Sequence, residues 1–300
     1  MPNELINPMT PEQFSAETAV EALRVQKRNI IRGRECWWYN AYGQNRIYYA
    51  FPIHRLVTPT DAELADVFAA APQAMALRYL SPADCPTGRR SFNWICRQPY
   101  ALEQFNAKDR NTLKKGLKNC SVRRISFAEL NAQGDEATRD TLQRQGQKAS
   151  PLRLGRNYED NLAYEAWAAF VEDRLAAYLI VQRLEDCMHV QVQRSANAYL
   201  KFQPNNALIY EATRDFLARS DVTTVCYGWE PLYPMASLER FKLSVGFVPE
   251  PIKQRTVFAP RYRWLLNSFT CRAIAHAATK IAGNSRWQSF AGICRYSLPD

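Results

Sequence analysis

Between Arg174 and Phe258 the chain spells an ordered string: strand, strand, short strand, helix, strand, helix, then a final pair of strands. Arg174 to Gln182 and Cys187 to Gln193 are rich in β-branched and large apolar residues, which favour a pleated, buried surface. Ser195-Ala-Asn197 is read as a turn and Ala198-Tyr-Leu-Lys-Phe202 as a short third strand. Pro204 is suited to the first position of a helix, and Leu208, Ile209, Ala212, Phe216 and Leu217 then fall on one helical face. Asp221 to Tyr227 reads as a buried strand closed by Gly228. A second helix runs from Pro234 to Val245, and Gly246 stands where a helix C-terminus needs a residue at ease with positive φ.

This order, with Leu238-Glu-Arg-Phe-Lys242 followed by Gly246-Phe247, resembles the GNAT acyltransferase superfamily, and within it the FemAB-like branch, which moves acyl or aminoacyl groups onto amines. The likeness covers Ser121 to Phe258 well and the preceding chain loosely. It implies an α/β fold with a mixed sheet (α+β in its layering), built as two GNAT-type halves. Residues 1–120 would be a partial first half, 121–260 the acyltransferase domain and 261–300 a helical tail.

The first part has its own β-β-α-β-β order, a partial echo of the second. Ala16 to Arg32 reads as an opening helix. Glu35–Asn40 and Arg46–Phe51 read as paired strands. A helix from Thr60 or Asp61 to Ala71 follows, with Asp61 as N-cap and Pro72 as stop. Met75 to Leu80 and Ser91 to Gln98 complete the set. Lys108 to Lys118 is a basic helix, inside which Gly116 costs roughly 1 kcal/mol against alanine. Two helices are expected over Phe127 to Gln145 and Tyr158 to Val171, and a further helix within Arg261 to Ile281.

Three hundred residues, 47% of them hydrophobic, bury a substantial core and exclude a disordered chain. No apolar run reaches the eighteen residues of a membrane span, and the N-terminus lacks a signal core, so a cytoplasmic protein is expected. Eight scattered cysteines without a Cys-x-x-Cys pair, and three histidines without ligand spacing, point to reduced thiols and no structural metal. The net charge of +10 calls for anionic partners: a nucleotide-bearing cofactor, a nucleic acid or an acidic membrane face.

The resemblance implies the site. A GNAT fold parts two neighbouring parallel strands, here taken as Ala198 to Phe202 and Val222 to Tyr227, so that a backbone N–H faces the acyl carbonyl. A donor aimed at the developing oxyanion contributes ~3 kcal/mol. The donor, acyl-CoA (acetyl-CoA included) or an aminoacyl-tRNA, would set its phosphates at the N-terminus of the helix starting at Pro204. The family's glycine-bearing loop is absent there: the chain has Gln203-Pro-Asn-Asn-Ala-Leu208. Gln193-Arg-Ser-Ala-Asn-Ala198 mimics it with alanines but is read as a hairpin turn.

Lys201, Asn205, Asn206 and Lys242 are the candidate donor contacts. Asn205 and Asn206 are equally ordinary helix-start residues, and Lys242 equally a cap for helix carbonyls. Tyr227 or Tyr233 is the candidate general acid, and Glu230 the candidate base at a strand's C-terminal end. Against these stand a packed aromatic and a solvated carboxylate. The acceptor would be a primary amine, one bearing phosphate included, with tRNA as partner and peripheral membrane contact through the tail as a further option. The alternative is a non-catalytic GNAT-fold module binding RNA or another anionic ligand, with Trp37, Trp38, Tyr39, Tyr48 and Tyr49 as stacking candidates.

Overall fold

A computed structural model describes residues 14–40, 45–148, 152, 158, 161–232, 235–278 and 285–298. The helices are α1 (Ala16–Val25), α2 (Asp61–Ala70), α3 (Ala107–Asn119), α4 (Phe127–Gln133), α5 (Asp135–Arg144), α6 (Pro204–Ala218), α7 (Ala236–Ser244), α8 (Ser268–Ala278) and α9 (Ser285–Arg295). The strands are β1 (Ile30–Arg32), β2 (Trp37–Asn40), β3 (Ile47–Phe51), β4 (Ala76–Ser81), β5 (Arg89–Cys96), β6 (Ser121–Ile125), β7 (Tyr164–Val171), β8 (Arg174–Leu184), β9 (Cys187–Ser195), β10 (Thr224–Trp229) and β11 (Val248–Phe258). Two units divide the chain. One comprises Met1–Ala22, Cys96–Tyr227 and Ser244–Gly246; the other comprises Leu23–Ile95, Gly228–Leu243 and Phe247–Asp300. Each is a mixture of strands and helices, as the α/β expectation requires.

In the first unit the strands run in the order β10-β9-β8-β7-β6. β6, β7, β8 and β9 pair antiparallel in succession, and β10 joins β9 in parallel. Tyr178, Ile180 and Phe170 pack with Leu130 and Ala137 of the α4–α5 pair, while Trp167 meets Phe216 of α6 edge-on. The sheet is thus covered on both faces, and β7 and β8 are buried along almost their whole length. A strand covered twice loses the polar alternation that would advertise it. That is why Tyr164–Val171, expected as the second half of a helix, is a strand: a short apolar run has no period to distinguish the two.

Helix α6 buries Leu208, Ile209, Ala212, Phe216 and Leu217, the face expected from their spacing. Helix α3 crosses it at Gly116, where an added Cβ would stand 2.8 Å from the Gln203 carbonyl oxygen and 3.2 Å from Ala207 Cβ. The glycine that looked costly for the helix is the residue that admits this close approach.

In the second unit the order is β1-β2-β3-β4-β11-β5. β3 and β4 are parallel, and β11 is antiparallel to both β4 and β5. Trp38, Tyr48, Leu77 and Tyr79 form a core with Leu64 and Val67 of α2. A second cluster joins Ala76 and Phe258 to Cys271, Ile293 and Cys294 of the C-terminal helices.

Further expectations change here. The opening helix ends at Val25, Lys27 takes a φ of 58°, and Ile30–Arg32 pairs with β2 instead of extending the helix. Thr60, not Asp61, caps α2, its hydroxyl accepting from the Glu63 amide at 3.2 Å. Phe127–Gln145 is two helices broken at Gly134. After Gly246, which has a φ of 88°, one long strand replaces the expected pair. The tail forms α8 and α9 after a short 3₁₀ turn, Pro260–Tyr262.

Candidate active site

The two parallel strands β9 and β10 share only three registered pairs, Cys187 with Thr224, Met188 with Val225 and His189 with Cys226. β9 nevertheless continues to Ser195, held on its other side by β8. Its register with β8 slips between Ile180 and Val181, leaving Gln191 as the extra residue of a bulge. A bulge bends and twists the strand that carries it. β9 therefore turns away from β10 just where their ladder stops, and a wedge opens between them.

This corrects the sequence reading in two ways. Asn197–Phe202 is a 3₁₀ helix and not a strand, so the parting strands are β9 and β10. Gln193-Arg-Ser is no hairpin turn: it is the end of β9, which passes through that 3₁₀ helix directly into α6.

At the start of α6, Gln203 takes a left-handed conformation (φ 62°, ψ 43°) and provides no side-chain cap. No acidic residue lies in the first turn, so the positive end of the helix dipole is not offset there. The Asn205 side chain accepts from Gln193 Nε2 at 3.1 Å and donates to Ser195 Oγ at 3.0 Å, tying the helix start to the end of β9. Asn206 is buried in the same turn. Lys201 is exposed on the 3₁₀ helix, its ammonium over the Phe202 ring.

Arg144, at the end of α5, donates to the Ser195 carbonyl and hydroxyl, each at 2.9 Å, and to Asn197 Oδ1. Burial lowers the Arg144 pKa, with Asp140 opposing and Arg194 reinforcing that shift. The guanidinium is thus a partly desolvated cation beside the α6 N-terminus.

Tyr227 reaches across the wedge from β10 and donates its hydroxyl to Gln193 Oε1. Burial pushes its phenol above the ordinary tyrosine value, and the Arg194 charge offsets part of the rise. The hydroxyl is therefore a protonated donor throughout the neutral range. The Cys187 thiol at the wedge's base is raised by its neighbour Cys226 and by burial, so it stays protonated and is no nucleophile.

Glu230 and Lys242 belong to the other unit and have their own surroundings there. Glu230 Oε2 accepts from Ser91 Oγ at 2.9 Å, and its Oε1 lies 3.8 Å from Arg295. Gln254 bridges Ser91 and the Glu230 carbonyl, both at 2.9 Å, and accepts from the buried Arg78 at 2.7 Å. This frame holds the carboxylate rigidly. Lys242 is buried, its ammonium 5.5 Å from the Trp94 ring centre. Tyr233 lies outside the described residues.

The structure thus joins Tyr227 to Asn205 through Gln193, a residue the sequence reading did not single out. Gln191 and Gln193, two polar residues two apart in a strand, carried the one available signal. Arg144 had none: a basic residue ending a helix is ordinary.

No protein-family model matches the chain, and no curated protein matches it in sequence. Solved structures do. The C-terminal domain (DUF2156) of a protein named as a lysylphosphatidylglycerol synthetase from Agrobacterium fabrum is similar at 12% identity and a TM-score of 0.54, over 92% of this chain and 99% of that one. FemX is similar at 11% identity and a TM-score of 0.55, over 88% of this chain and 95% of that one. A GCN5-related N-acetyltransferase from Kribbella flavida is a looser likeness, at 12% identity and a TM-score of 0.48, over 82% of this chain and 94% of that one. With its parted parallel strands and the helix that follows the first of them, the chain has a GNAT-like fold, shared with FemX and the DUF2156 domain.

Proposed function

We propose that this protein is an acyltransferase that moves an acyl or aminoacyl group from an activated ester or thioester onto a primary amine by direct attack. The parting of β9 and β10 ahead of the α6 N-terminus carries the reading. The donor's phosphate sits at that N-terminus, near Lys201, Asn205 and Asn206, with Arg144 as an added cation. The acyl carbonyl lies in the wedge against the backbone of β9. The amine nitrogen forms a bond to the carbonyl carbon, and the bond to the leaving oxygen or sulfur breaks. Tyr227 supplies the leaving group's proton, and the proton the amine gives up passes to water. Lys242, buried on α7, supports the fold around Trp94 more readily than it meets a phosphate.

The donor is either an aminoacyl-tRNA ester or an acyl-CoA thioester, and Tyr227, kept protonated by burial, is a proton donor to either leaving group. Calorimetry with acetyl-CoA, longer acyl-CoAs and charged tRNA, followed by mass spectrometry of an added amine, tests the proposal. Binding of at least one donor and a mass gain on the amine support it; no binding by any donor ends it.

The Tyr227–Gln193–Asn205 network favours a second reading, because these side chains bridge the wedge. A chain that kept the fold and lost transfer would bind RNA or another anion there. Salt-dependent RNA binding, unchanged in Tyr227→Phe and Glu230→Gln, with no acylated product, would select it.

A further inference from the structure

The C-terminal segment carries an exposed patch that the transfer chemistry does not use. Trp264 is 76% exposed, Leu265 48% and Phe269 83%, all within six residues of chain. They occupy the turn before α8 and its first helical turn. The opposite side of the same segment is anchored: Cys271 is fully buried, and Leu266 and Ile274 pack against Ala76, Phe258 and Ile293. The apolar side chains therefore point outward from a fixed base. Asn267 caps the helix, accepting from the Thr270 amide at 3.0 Å, which fixes the direction of its first turn.

Charge selects what this patch meets. From Pro251 to Pro299 the chain has no aspartate or glutamate, against eight lysines and arginines. Arg263 and Arg272 flank the exposed aromatics, and among the described residues no carboxylate pairs with either. Phe269, Arg272 and His276 recur at helical spacing along the outward side of α8. A tryptophan, a leucine and a phenylalanine among unopposed arginines match the layered chemistry of a lipid surface. The rings and the leucine enter the boundary between headgroups and acyl chains, and the guanidinium groups meet phosphate.

We propose that the Trp264–Phe269 patch docks the protein on an anionic lipid bilayer, peripherally and without insertion of a helix. No described helix is long and apolar enough to cross a membrane.

Sedimentation of the full chain with sucrose-loaded vesicles tests the proposal. Vesicles of phosphatidylcholine alone are compared with vesicles holding about a third phosphatidylglycerol. Binding to the anionic vesicles is expected to exceed binding to the neutral ones at least tenfold and to weaken with salt. Trp264→Ala with Phe269→Ala should weaken it at least tenfold further while leaving the melting temperature unchanged, since both side chains are exposed. Arg263→Glu with Arg272→Glu should abolish the preference for the anionic lipid. Four results would overturn the idea: no sedimentation, equal binding to both vesicle types, no effect of the Trp264/Phe269 change, or a self-association in solution that this change dissolves. Binding of an RNA oligonucleotide with the same sensitivity to both double variants, in place of vesicle binding, would assign the patch to nucleic acid instead.

Discussion

Replacing Gly116 by alanine should destabilise this protein, although general helix energetics say the reverse. In a helix interior alanine is favoured over glycine by about 1 kcal/mol. At Gly116 the new Cβ would sit 2.8 Å from the Gln203 carbonyl oxygen and 3.2 Å from both the Ala207 amide nitrogen and its Cβ. The nearest of these atoms is backbone, and it belongs to the first turn of α6, so no flexible side chain can move aside. Overpacking of this kind costs about 1–3 kcal/mol. Taking the middle of that range against the propensity gain leaves a net loss of about 1 kcal/mol for Gly116→Ala. Gly116→Val, with two more methyl groups and a weaker helix propensity, should lose about 3 kcal/mol or more. Urea unfolding of the three proteins measures this directly. Donor titration adds a second reading, because the yielding group is the α6 N-terminus, and a shift there should weaken phosphate binding more than it weakens the fold. A Gly116→Ala protein more stable than the parent by about 1 kcal/mol would refute the close approach of α3 and α6, and with it the reason given for that glycine.

Glu165 is buried and accepts from Arg219 at 2.6 and 3.0 Å and from Trp167 Nε1 at 3.1 Å. Arg219→Met removes two of that carboxylate's hydrogen bonds, leaving it Trp167 and Arg124 at 3.9 Å, and should cost about 3 kcal/mol. Glu165→Gln leaves Arg219 its Asp215 partner and should cost about 1–2 kcal/mol; equal losses in chemical denaturation would contradict the asymmetry. Burial, the largest single influence, raises the Glu165 pKa, but Arg219, Arg124 and Trp167 together leave it lowered overall. The pair's contribution is therefore complete above the unfolded glutamate pKa of about 4.3 and lost as pH falls through the lower folded value. An acid titration of stability should show that slope in the parent and lack it in Glu165→Gln. Tyr227→Phe should lower turnover about a hundredfold with little change in KM if the hydroxyl protonates the leaving group; a wild-type rate removes it from the mechanism. Gly246→Ala faces both a φ of 88° and a Tyr100 ring atom 2.8 Å from the new Cβ, and should lose about 2 kcal/mol or more by thermal and urea unfolding.

Those glycines also mark how far the sequence can be read. Gly246 was legible because ending a helix is a local task, and its positive φ appears where the pattern places it. Gly116 looked like a defect until α3 was seen against α6. Tyr227 and Asn205 were legible as polar groups at the ends of elements. Gln193, which links them, was not, since its importance depends on β10 arriving beside β9 from more than thirty residues away.

Local chemistry by itself determined α6 with its buried face, the strands β8 and β9 and the glycine stop at Gly246. Each depends on side-chain period or on a turn residue, and both act over a few neighbours. The tertiary structure alone decided that Tyr164–Val171 is a strand, that Asn197–Phe202 coils into a 3₁₀ helix, and that the wedge opens at the bulge in β9. In those places two conformations are locally close in energy, and pairing with distant strands selects between them.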